Sequence, residues 1–346
     1  MADRGSATGP AAEDKRPAAA LPVAVDAMGG DRAPGEIVAG AIEAAEAGHS
    51  VLLVGDPDRL GDTGGLPVLA ASEVIEMHED PARSVRTKKD SSLVRAAEAV
   101  RDGRASAMVS AGNTGATMAS ALFRMGRIKG VARPAIATVI PVPGGDPTIL
   151  LDAGANAECS AAWLVQFAQM GSVLSRLRFG VEKPRVGLLS IGEEPGKGNP
   201  LAKEAHALLA AGEAGPSVDF IGNVEGRDVM SDAADVVVTD GFTGNVVLKT
   251  LEGSMKFAFG AVLQALRSPE VPKDASDAVL GQLLPLAAEL DPETYGGAVL
   301  LGVDGVCIIS HGSSSARAIV NAVGVAHQAV TEGLVDQLRT AIGATA

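Results

Sequence analysis

The stretch VSAGNTGATM, residues 109–118, contains the pattern that decides the fold. A β-branched run ends at Ser110, two glycines enclose Asn113 and Thr114, and an alanine-rich helical pattern follows. Glycine allows a sharp turn and lets another molecule approach the main chain closely. The helix that follows directs unpaired N–H groups and the positive end of its dipole towards the turn. A strand, a tight turn and a helix in this order predict one unit of an α/β fold, with a place for an anion at the turn.

A second stretch repeats this pattern. Residues 238–244 read VTDGFTG and residues 109–115 read VSAGNTG, so both fit Val-[Ser/Thr]-x-Gly-x-Thr-Gly. Each lies between a strand-like run and a helix-like run. Either turn alone is better explained as an ordinary strand-to-helix connection, because short motifs often occur by chance. Two copies in one chain make phosphate binding at least as good an explanation.

Strand-like and helix-like runs alternate along almost the whole chain. Because the strands are apolar on both faces, the alternation predicts a three-layer α/β/α sandwich with a largely parallel sheet. We expect strands at residues 22–26, 51–55, 107–110, 135–140, 148–152, 185–191, 235–240, 298–303 and 306–310. We expect helices at residues 34–47, 91–101, 114–125, 158–178, 200–211, 243–266 and 313–340.

We expect residues 21–346 to form one domain, with a helical hairpin over about residues 245–290 that protrudes from it. Apolar residues recur at helical spacing on both sides of a break at Ser268–Pro272. This apolar face suits packing on the body or in a dimer interface, and contact with a membrane surface is the alternative. Residues 268–293 contain one lysine and several acids, which argues against the membrane. Residues 1–20 are small, polar and proline-interrupted, and we expect them to be disordered.

The composition excludes several classes of protein. The 346 residues carry a formal net charge of −13, which argues against a general nucleic-acid binder. Cys159 and Cys307 belong to no CxxC pair or metal-ligand spacing, so we expect no metal and a reducing, cytoplasmic environment. Aromatic residues make up only 3%, so Ala, Val, Leu and Gly must build the core. No apolar run reaches the ~18–20 residues of a membrane span, and the N-terminus lacks the apolar segment of a secretory signal.

Six predicted strands end in polar residues mixed with glycine, whereas their opposite ends look plain. Ligands of parallel sheets bind beyond the carboxyl ends of the strands. One site built from these loops therefore explains the pattern better than six unrelated turns. The candidate substrate-binding residues are Asp26, Gly29, Gly30, Asp31, Gly112, Asn113, Thr114, Gly115, Asp152, Gly154, Gly192, Glu193, Asp240, Gly241, Thr243, Gly244 and Asn245.

The motifs of enzymes with a nucleophilic side chain are missing. The chain contains no Gly-x-Ser-x-Gly elbow, no HExxH, no P-loop and no GxGxxG fingerprint. Glycine turns directed at anions, without a nucleophile, suit a reaction in which bound phosphate is itself the nucleophile. An oxyanion formed in that attack needs preorganised donors, and the candidate catalytic groups are Lys197, His311 and the Asn156 amide. For His311 taken alone, a hydrogen-bonded interior imidazole is the better explanation.

Eight segments together resemble the bacterial phosphate acyltransferase family PlsX of phospholipid synthesis. They follow one another in the family's order and with its spacing over roughly residues 21–340. They are VDAMGGDRAP (25–34), SAGNTGA (110–116), ARPA (132–135), LDAGAN (151–156), QFAQMG (166–171), IGEEPGKGN (191–199), DGFTGNVVLKTLEG (240–253) and SHG (310–312).

The resemblance implies an activity and its partners. Enzymes of this family make acyl phosphate from a long-chain acyl-acyl carrier protein and inorganic phosphate, without a cofactor. The acyl phosphate passes to a membrane glycerol-3-phosphate acyltransferase for phosphatidic acid synthesis. The resemblance also implies a fold similar to isocitrate dehydrogenase and phosphotransacetylase, and a homodimer at the cytoplasmic face of the membrane. A phosphotransacetylase that uses acyl-coenzyme A, an isocitrate-type dehydrogenase and a non-catalytic scaffold are the alternatives.

An acidic carrier protein needs a basic docking surface on this acidic chain. The densest basic segment contains Arg124, Arg127, Lys129 and Arg133, and we expect docking there. A second segment contains Arg83, Arg86, Lys88 and Lys89. Either segment is also explained as a solvated charged surface.

Overall fold

A computed structural model describes residues 21–343, and the predicted disorder of residues 1–20 lies outside this range. The described chain forms one sheet of eleven strands in the order β3-β2-β1-β4-β11-β10-β5-β6-β9-β7-β8. The strands are β1 (Val23–Asp26), β2 (Val51–Gly55), β3 (Val68–Ala70), β4 (Ala107–Ser110), β5 (Ala135–Ile140), β6 (Thr148–Leu151), β7 (Arg185–Leu189), β8 (Asp219–Val224), β9 (Val236–Val238), β10 (Ala298–Leu301) and β11 (Val306–Ile309).

Ten α-helices cover the sheet or extend from it within the described residues. Short 3₁₀ helices occupy Gly226–Met230 and Pro292–Tyr295. The α-helices are α1 (Gly35–Glu46), α2 (Pro81–Thr87), α3 (Ser92–Arg101), α4 (Thr114–Arg124), α5 (Ala161–Phe179), α6 (Pro200–Ala210), α7 (Gly241–Leu266), α8 (Lys273–Glu289), α9 (Ala316–Thr331) and α10 (Leu334–Gly343).

The strands are buried on both faces, as their apolar runs predict. Val23 and Val25 of β1 pack in the core under α1, α5, α6, α9 and α10, whereas Ala24 packs in the core under α2, α3 and α4. Alternate residues of a strand point to opposite faces, so continuous apolar strands require a helical layer on each side. The predicted three-layer α/β/α fold is confirmed. Its core is built almost entirely from Ala, Val, Leu, Ile and Met, and Phe167 is the one aromatic side chain among its largest fully buried members.

Seven of the ten strand pairings are parallel, and three are antiparallel. The antiparallel pairings determine at which edge of the sheet each strand ends. β10 is antiparallel to β11 and to β5, and β5 is antiparallel to β6. These three reversals leave β6, β7, β8 and β9 running opposite to β1, β2, β3, β4 and β11. The expectation that all six polar strand ends meet at one edge is therefore wrong: three lie at each edge.

Most predicted elements occur within a few residues of their expected bounds, and the exceptions have local reasons. β3 and β8 are edge strands, and their partly exposed residues lack the apolar run that marks an inner strand. The seven-residue helix α2 is too short for a periodic pattern. The helix expected over residues 313–340 is divided into α9 and α10 at Gly333, whose φ of +70° is left-handed.

α7 and α8 form two long helices in the region of the expected hairpin. Only Gly241 and Gly244 of α7 are buried, and no residue of α8 is. Large apolar side chains face outwards, including Phe257, which is 79% exposed, and Leu284, which is 59% exposed. Among residues 21–343, no helix has the length and apolar character that crossing a bilayer requires.

α7 contacts the body closely at Gly244, and this contact provides a stability test. A Cβ atom at this position would lie 1.9 Å from the carbonyl oxygen of Asp152, whereas one at Gly253 of the same helix would meet nothing within 4 Å. We expect Gly244→Ala to lower the free energy of unfolding by about 3 kcal/mol, because the backbone of one segment must move. Gly253→Ala is the matched control and should raise it by about 0.5–1 kcal/mol through helix propensity. Urea denaturation measures both, and equal stability of the two variants would contradict the close contact.

Candidate active site

A cavity of about 350 Å³ lies between β5 and α7. α7 starts beside the loop after β6 and crosses the sheet face towards the ends of β4 and β11, so the cavity spans both sheet edges. One part of its wall is apolar and includes Ile136, Val139, Ile140, Met230, Leu248, Leu251 and Met255. The other part is polar and includes Thr114, Asn245, Lys249, Glu252, Ser310 and His311.

The first glycine turn places the N-terminus of α4 at the polar part of the cavity. The Asn113 side chain caps the helix by accepting a hydrogen bond from the Ala116 N–H at 3.0 Å. Its amide nitrogen donates to the carbonyl oxygens of Met77, at 2.9 Å, and Glu79, at 3.2 Å. Both amide hydrogens of Asn113 are thus engaged, and the side chain holds residues 77–79 against the turn. Within residues 21–343, the N–H groups of Thr114 and Gly115 have no partner, so they remain available to an anion.

Asp26 supports this turn from behind. Its carboxylate accepts a hydrogen bond from the Ser110 hydroxyl at 2.7 Å, and the same hydroxyl accepts one from the Gly112 N–H at 3.0 Å. A Cβ at Gly29 would lie 2.4 Å from the Asp26 carboxylate and 2.9 Å from the Gly112 nitrogen, so only glycine fits there. Burial raises the pKa of Asp26, although the hydrogen bonds from Ser92 and Ser110 act to lower it. Asp26 therefore orients the turn and does not line the cavity.

The loops after β1, β4 and β11 meet at one edge of the sheet. The Asp31 N–H donates to the Gly312 carbonyl at 2.7 Å. Gly30, with φ of +112°, lies between the carbonyl oxygens of Ala111 and Gly312. Three of the six predicted loops are thus joined, and they place His311 beside the α4 N-terminus in the cavity wall.

His311 belongs to a charged cluster with Lys249 and Glu252 of α7. Its Nε2 atom lies 2.9 Å from the Lys249 ammonium and 3.4 Å from the Glu252 carboxylate. The Lys249 ammonium also donates to Glu252 at 2.9 Å. A neutral imidazole accepts from Lys249, and an imidazolium donates to Glu252, so His311 has a partner in either protonation state. Burial opposes ionisation of Glu252, but the hydrogen bonds from His311 and Lys249 outweigh it and lower its pKa to about 2.

Lys249, Glu252 and Ser310 were not among the candidate residues from the sequence. Asn245, Lys249 and Glu252 are spaced i, i+4 and i+7, and this spacing places them on one helix face. That signal was present in the apolar run NVVLKTLEG (245–253). The Ser310 hydroxyl is buried without a hydrogen-bond partner in the described structure. Because Ser310 lines the cavity, its hydroxyl can donate a hydrogen bond to a ligand there.

Asp152 organises the loop at the other edge. One carboxylate oxygen accepts hydrogen bonds from the backbone N–H groups of Ile136, Gly154 and Ala155, and the other accepts two from Asn156. The Asn156 amide nitrogen also donates to the Pro134 carbonyl at 2.8 Å. Both amide hydrogens of Asn156 are engaged, so the predicted oxyanion donor has a structural role here. Burial raises the pKa of Asp152, although these hydrogen bonds act in the opposite direction.

The second glycine turn is filled by its own chain. Asp240 accepts hydrogen bonds from the Thr243 N–H, at 2.9 Å, and the Thr243 hydroxyl, at 2.8 Å. The Gly241 N–H donates to the Asn156 carbonyl at 2.8 Å. Asn245, which follows this turn, has an exposed side chain that lines the cavity. Its side-chain atoms lie 3.6–3.7 Å from the Cβ position of Gly154. The two similar turns thus differ in use: the first presents the N–H groups of Thr114 and Gly115 at the cavity, and the second fixes α7 against the loop after β6.

The loop after β7 does not line the cavity. Lys197 is exposed and its N–H donates to the Glu194 carbonyl at 2.9 Å, which closes a local turn. Glu193 pairs with Arg227 at 3.2 Å, and the buried Gly192 packs under the Lys197 stem. Asn199 caps α6 by accepting from the Ala202 N–H. The structure therefore separates Lys197, Gly192 and Glu193 from His311 and the α4 turn.

Of the four cations in the segment expected to dock a carrier protein, Arg124 and Arg127 are engaged internally, and the Arg133 guanidinium lies 4.9 Å from the centre of the Trp163 ring. Arg124 pairs with Glu98 at 3.4 Å, and Arg127 donates to the carbonyl oxygens of Val131 and Ala132. Lys129 is exposed. Neither cysteine lines the cavity, and burial raises the pKa of Cys159 to about 11 and that of Cys307 to about 12. Neither thiol is therefore activated as a nucleophile.

Comparison with known proteins shows what the chain is similar to. The family described as "Fatty acid synthesis protein" matches residues 21–337. A phosphate acyltransferase from Pelotomaculum thermopropionicum is 48% identical over 330 residues, covering 93% of this chain and 95% of that protein. A phosphate acyltransferase from Heliobacterium modesticaldum is 50% identical over 329 residues, covering 90% of this chain and 95% of that protein.

Solved structures support the fold independently. A phosphotransacetylase from Streptococcus pyogenes superposes with a TM-score of 0.61 at 16% identity, covering 90% of this chain and 94% of that one. The EutD phosphotransacetylase from Staphylococcus aureus gives a TM-score of 0.58, also at 16% identity, with the same coverage. At this identity the likeness concerns the fold alone.

The lowered pKa of Glu252 predicts a pH-dependent contribution to stability. A carboxylate with a pKa near 4.5 in the unfolded chain and about 2 in the folded protein stabilises the fold above pH 4.5, and this stabilisation is lost as the pH falls towards 2. We expect Glu252→Gln to lower the free energy of unfolding at pH 7 by about 2 kcal/mol, less than the full pKa shift corresponds to, because solvent screens this partly exposed cluster. The difference from the wild type should shrink as the pH falls from 4.5 towards 2. Urea denaturation at a series of pH values measures it, and a difference independent of pH would exclude the ionised cluster.

Proposed function

This chain belongs to the fatty acid synthesis protein family and is a phosphate acyltransferase, and from that premise we propose that its acyl donor is a long-chain acyl-acyl carrier protein. The acyl acceptor is inorganic phosphate, and the products are acyl phosphate and the free carrier protein. The single observation that carries this proposal is the division of the cavity into an apolar part and a polar part that contains Lys249 and the N-terminus of α4. One suits an acyl chain and the other suits phosphate.

Phosphate is held at the N-terminus of α4. The free N–H groups of Thr114 and Gly115 and the positive end of the α4 dipole favour an anion there. The Thr114 and Ser310 hydroxyls, the Asn245 amide and the Lys249 ammonium line the same cavity and supply further donors. Holding phosphate next to the thioester carbonyl contributes several kcal/mol to catalysis, because it replaces a bimolecular encounter.

The reaction needs no nucleophilic side chain. A phosphate oxygen attacks the thioester carbonyl carbon and forms a C–O bond, and the C–S bond then breaks. The carrier thiolate leaves and takes up a proton. Lys249 and His311 stabilise the negative charge that develops on the carbonyl oxygen, and Glu252 orients them through the hydrogen bonds described above. Lys197 remains a predicted catalytic residue that this arrangement does not use.

The product enters membrane phospholipid synthesis, in which a glycerol-3-phosphate acyltransferase in the membrane consumes the acyl phosphate. A reactive acyl phosphate favours a short path between the two enzymes. The exposed apolar side chains of α7 and α8 suit a homodimer interface and peripheral contact with the inner face of the membrane.

Acyl phosphate formation tests the proposed donor directly. We expect the purified protein to convert long-chain acyl-acyl carrier protein, in the presence of inorganic phosphate, to a product that hydroxylamine traps as a hydroxamate. Omission of phosphate should reduce the hydroxamate to the level that hydroxylamine forms from the thioester without the protein. Phosphate-dependent hydroxamate from acyl-coenzyme A alone would instead assign the chain to the phosphotransacetylase type. The absence of phosphate-dependent hydroxamate from either donor would favour a non-catalytic scaffold.

A pair of variants in α7 locates the phosphate in the same assay. Asn245→Ala removes an amide that lines the cavity, so it should raise the KM for phosphate about tenfold, as the loss of one hydrogen bond to a charged group predicts. Thr250→Ala, on the same helix but outside the cavity wall, is the matched control and should leave this KM unchanged. An unchanged KM in Asn245→Ala would exclude this residue from the phosphate site.

The hairpin proposal has its own measurement. We expect analytical ultracentrifugation to give the mass of two chains, and Phe257→Asp to shift it towards one, because a buried charge opposes association. A dimer that this variant leaves intact would exclude Phe257 from the interface. Flotation with vesicles of anionic phospholipid, compared between the two proteins, then tests membrane contact separately.

A further inference from the structure

The second basic segment, on α2, packs against α4 beside the cavity. The Arg86 guanidinium lies 5.3 Å from the centre of the Phe123 ring. Phe123 is 44% exposed although it is a large apolar side chain. An exposed aromatic ring beneath an arginine is a composition typical of protein interfaces.

The cations on this surface are free to pair with a partner. Arg83, Arg86 and Lys89 are exposed, and none has a carboxylate partner within residues 21–343. Lys88, between them in sequence, is different: its ammonium is bound to Glu79 and to the Val74 carbonyl.

Three acidic residues close to α2 in sequence, Glu79, Asp80 and Asp90, are engaged in local contacts. Glu79 binds Lys88 and the Ser84 hydroxyl, and the hydrogen bond from Lys88 in particular lowers its pKa to about 2. Asp80 caps α2 by accepting from the Arg83 N–H at 2.7 Å. Asp90 accepts two hydrogen bonds from Ser72. These carboxylates are therefore committed, whereas the guanidinium groups of Arg83 and Arg86 are not.

This surface begins at the cavity. Pro81, the first residue of α2, lies so close to Gly115 that a Cβ there would approach the Pro81 ring to 2.7 Å. The Asn113 amide binds the Met77 and Glu79 carbonyls, and Met77 and Thr114 both line the cavity. A partner seated on α2 is thus adjacent to the N-terminus of α4.

We infer that Arg83, Arg86, Lys89 and Phe123, which we call the α2 surface, dock the acidic acyl carrier protein. The carrier's carboxylates pair with the three cations, and its acylated arm enters the cavity past Met77 and Thr114. The inference rests on the proposed function, since it takes its partner from there. It replaces Arg124 and Arg127, whose side chains are already engaged, as the docking residues.

Charge reversal on the α2 surface tests this inference. We expect Arg83→Glu/Arg86→Glu to weaken binding of acyl-acyl carrier protein, measured as a Kd, on the order of tenfold or more at low salt. The loss should diminish at high salt, because salt screens exposed charges. Lys203→Glu is the matched control: Lys203 is an exposed cation on α6, in the opposite helical layer, and its reversal should leave the Kd unchanged.

The KM for a small acyl thioester such as acyl-pantetheine should not change in the double variant, because that donor has no protein to dock. Wild-type turnover with unchanged carrier binding in the double variant would overturn the docking surface and leave the proposed function intact. Carrier binding that depends on Arg83 and Arg86, without acyl phosphate formation, would overturn the function and retain the surface. A wild-type protein that does not bind the carrier would overturn both.

Discussion

The close contact between the start of α7 and the loop after β6 is the constraint on which the rest of the site depends. Gly241 and Gly244 lack the Cβ atoms that would collide with Asn156 and with the Asp152 carbonyl. Asp152 in turn binds four backbone N–H groups and the Asn156 amide, so the surface against which α7 rests is rigid. This contact fixes where α7 starts and the direction in which it crosses the sheet. Asn245, Lys249 and Glu252 reach the cavity as a consequence.

The layers of the fold were predictable because each strand and helix carries its own local signal. Val23–Asp26 and Val51–Gly55 are apolar on both faces, and buried parallel strands require this. The directions of β10 and β5 were not predictable in this way, since an apolar strand of four to six residues reads the same in either direction. The three reversals therefore remained hidden, and with them the separation of Lys197 from His311.

The candidate site was predictable only in part, for a related reason. The turn before α4 was found from glycine spacing and capping, which are local properties. The partners of Asn113 and Asn156 are backbone carbonyls brought close by the fold, so the sequence offered no means of seeing that both amides are engaged. Lys249 and Glu252 do not stand out in the sequence, because the helical spacing of this part of α7 is dominated by its apolar residues.

Helix α7 shows how one element can serve two chemically different halves of a substrate. Asn245, Lys249 and Glu252 alternate with Leu248, Leu251 and Met255 along the cavity wall. At 3.6 residues per turn, these two sets form adjacent stripes, one polar and one apolar. An acyl thioester has the same division, since an apolar chain ends at a polar carbonyl. On the proposed assignment, the carbonyl lies where the stripes meet, within reach of donors on one side and of phosphate at α4 on the other. The reaction then depends on positioning and charge, which agrees with the absence of an activated thiol in the described cavity wall.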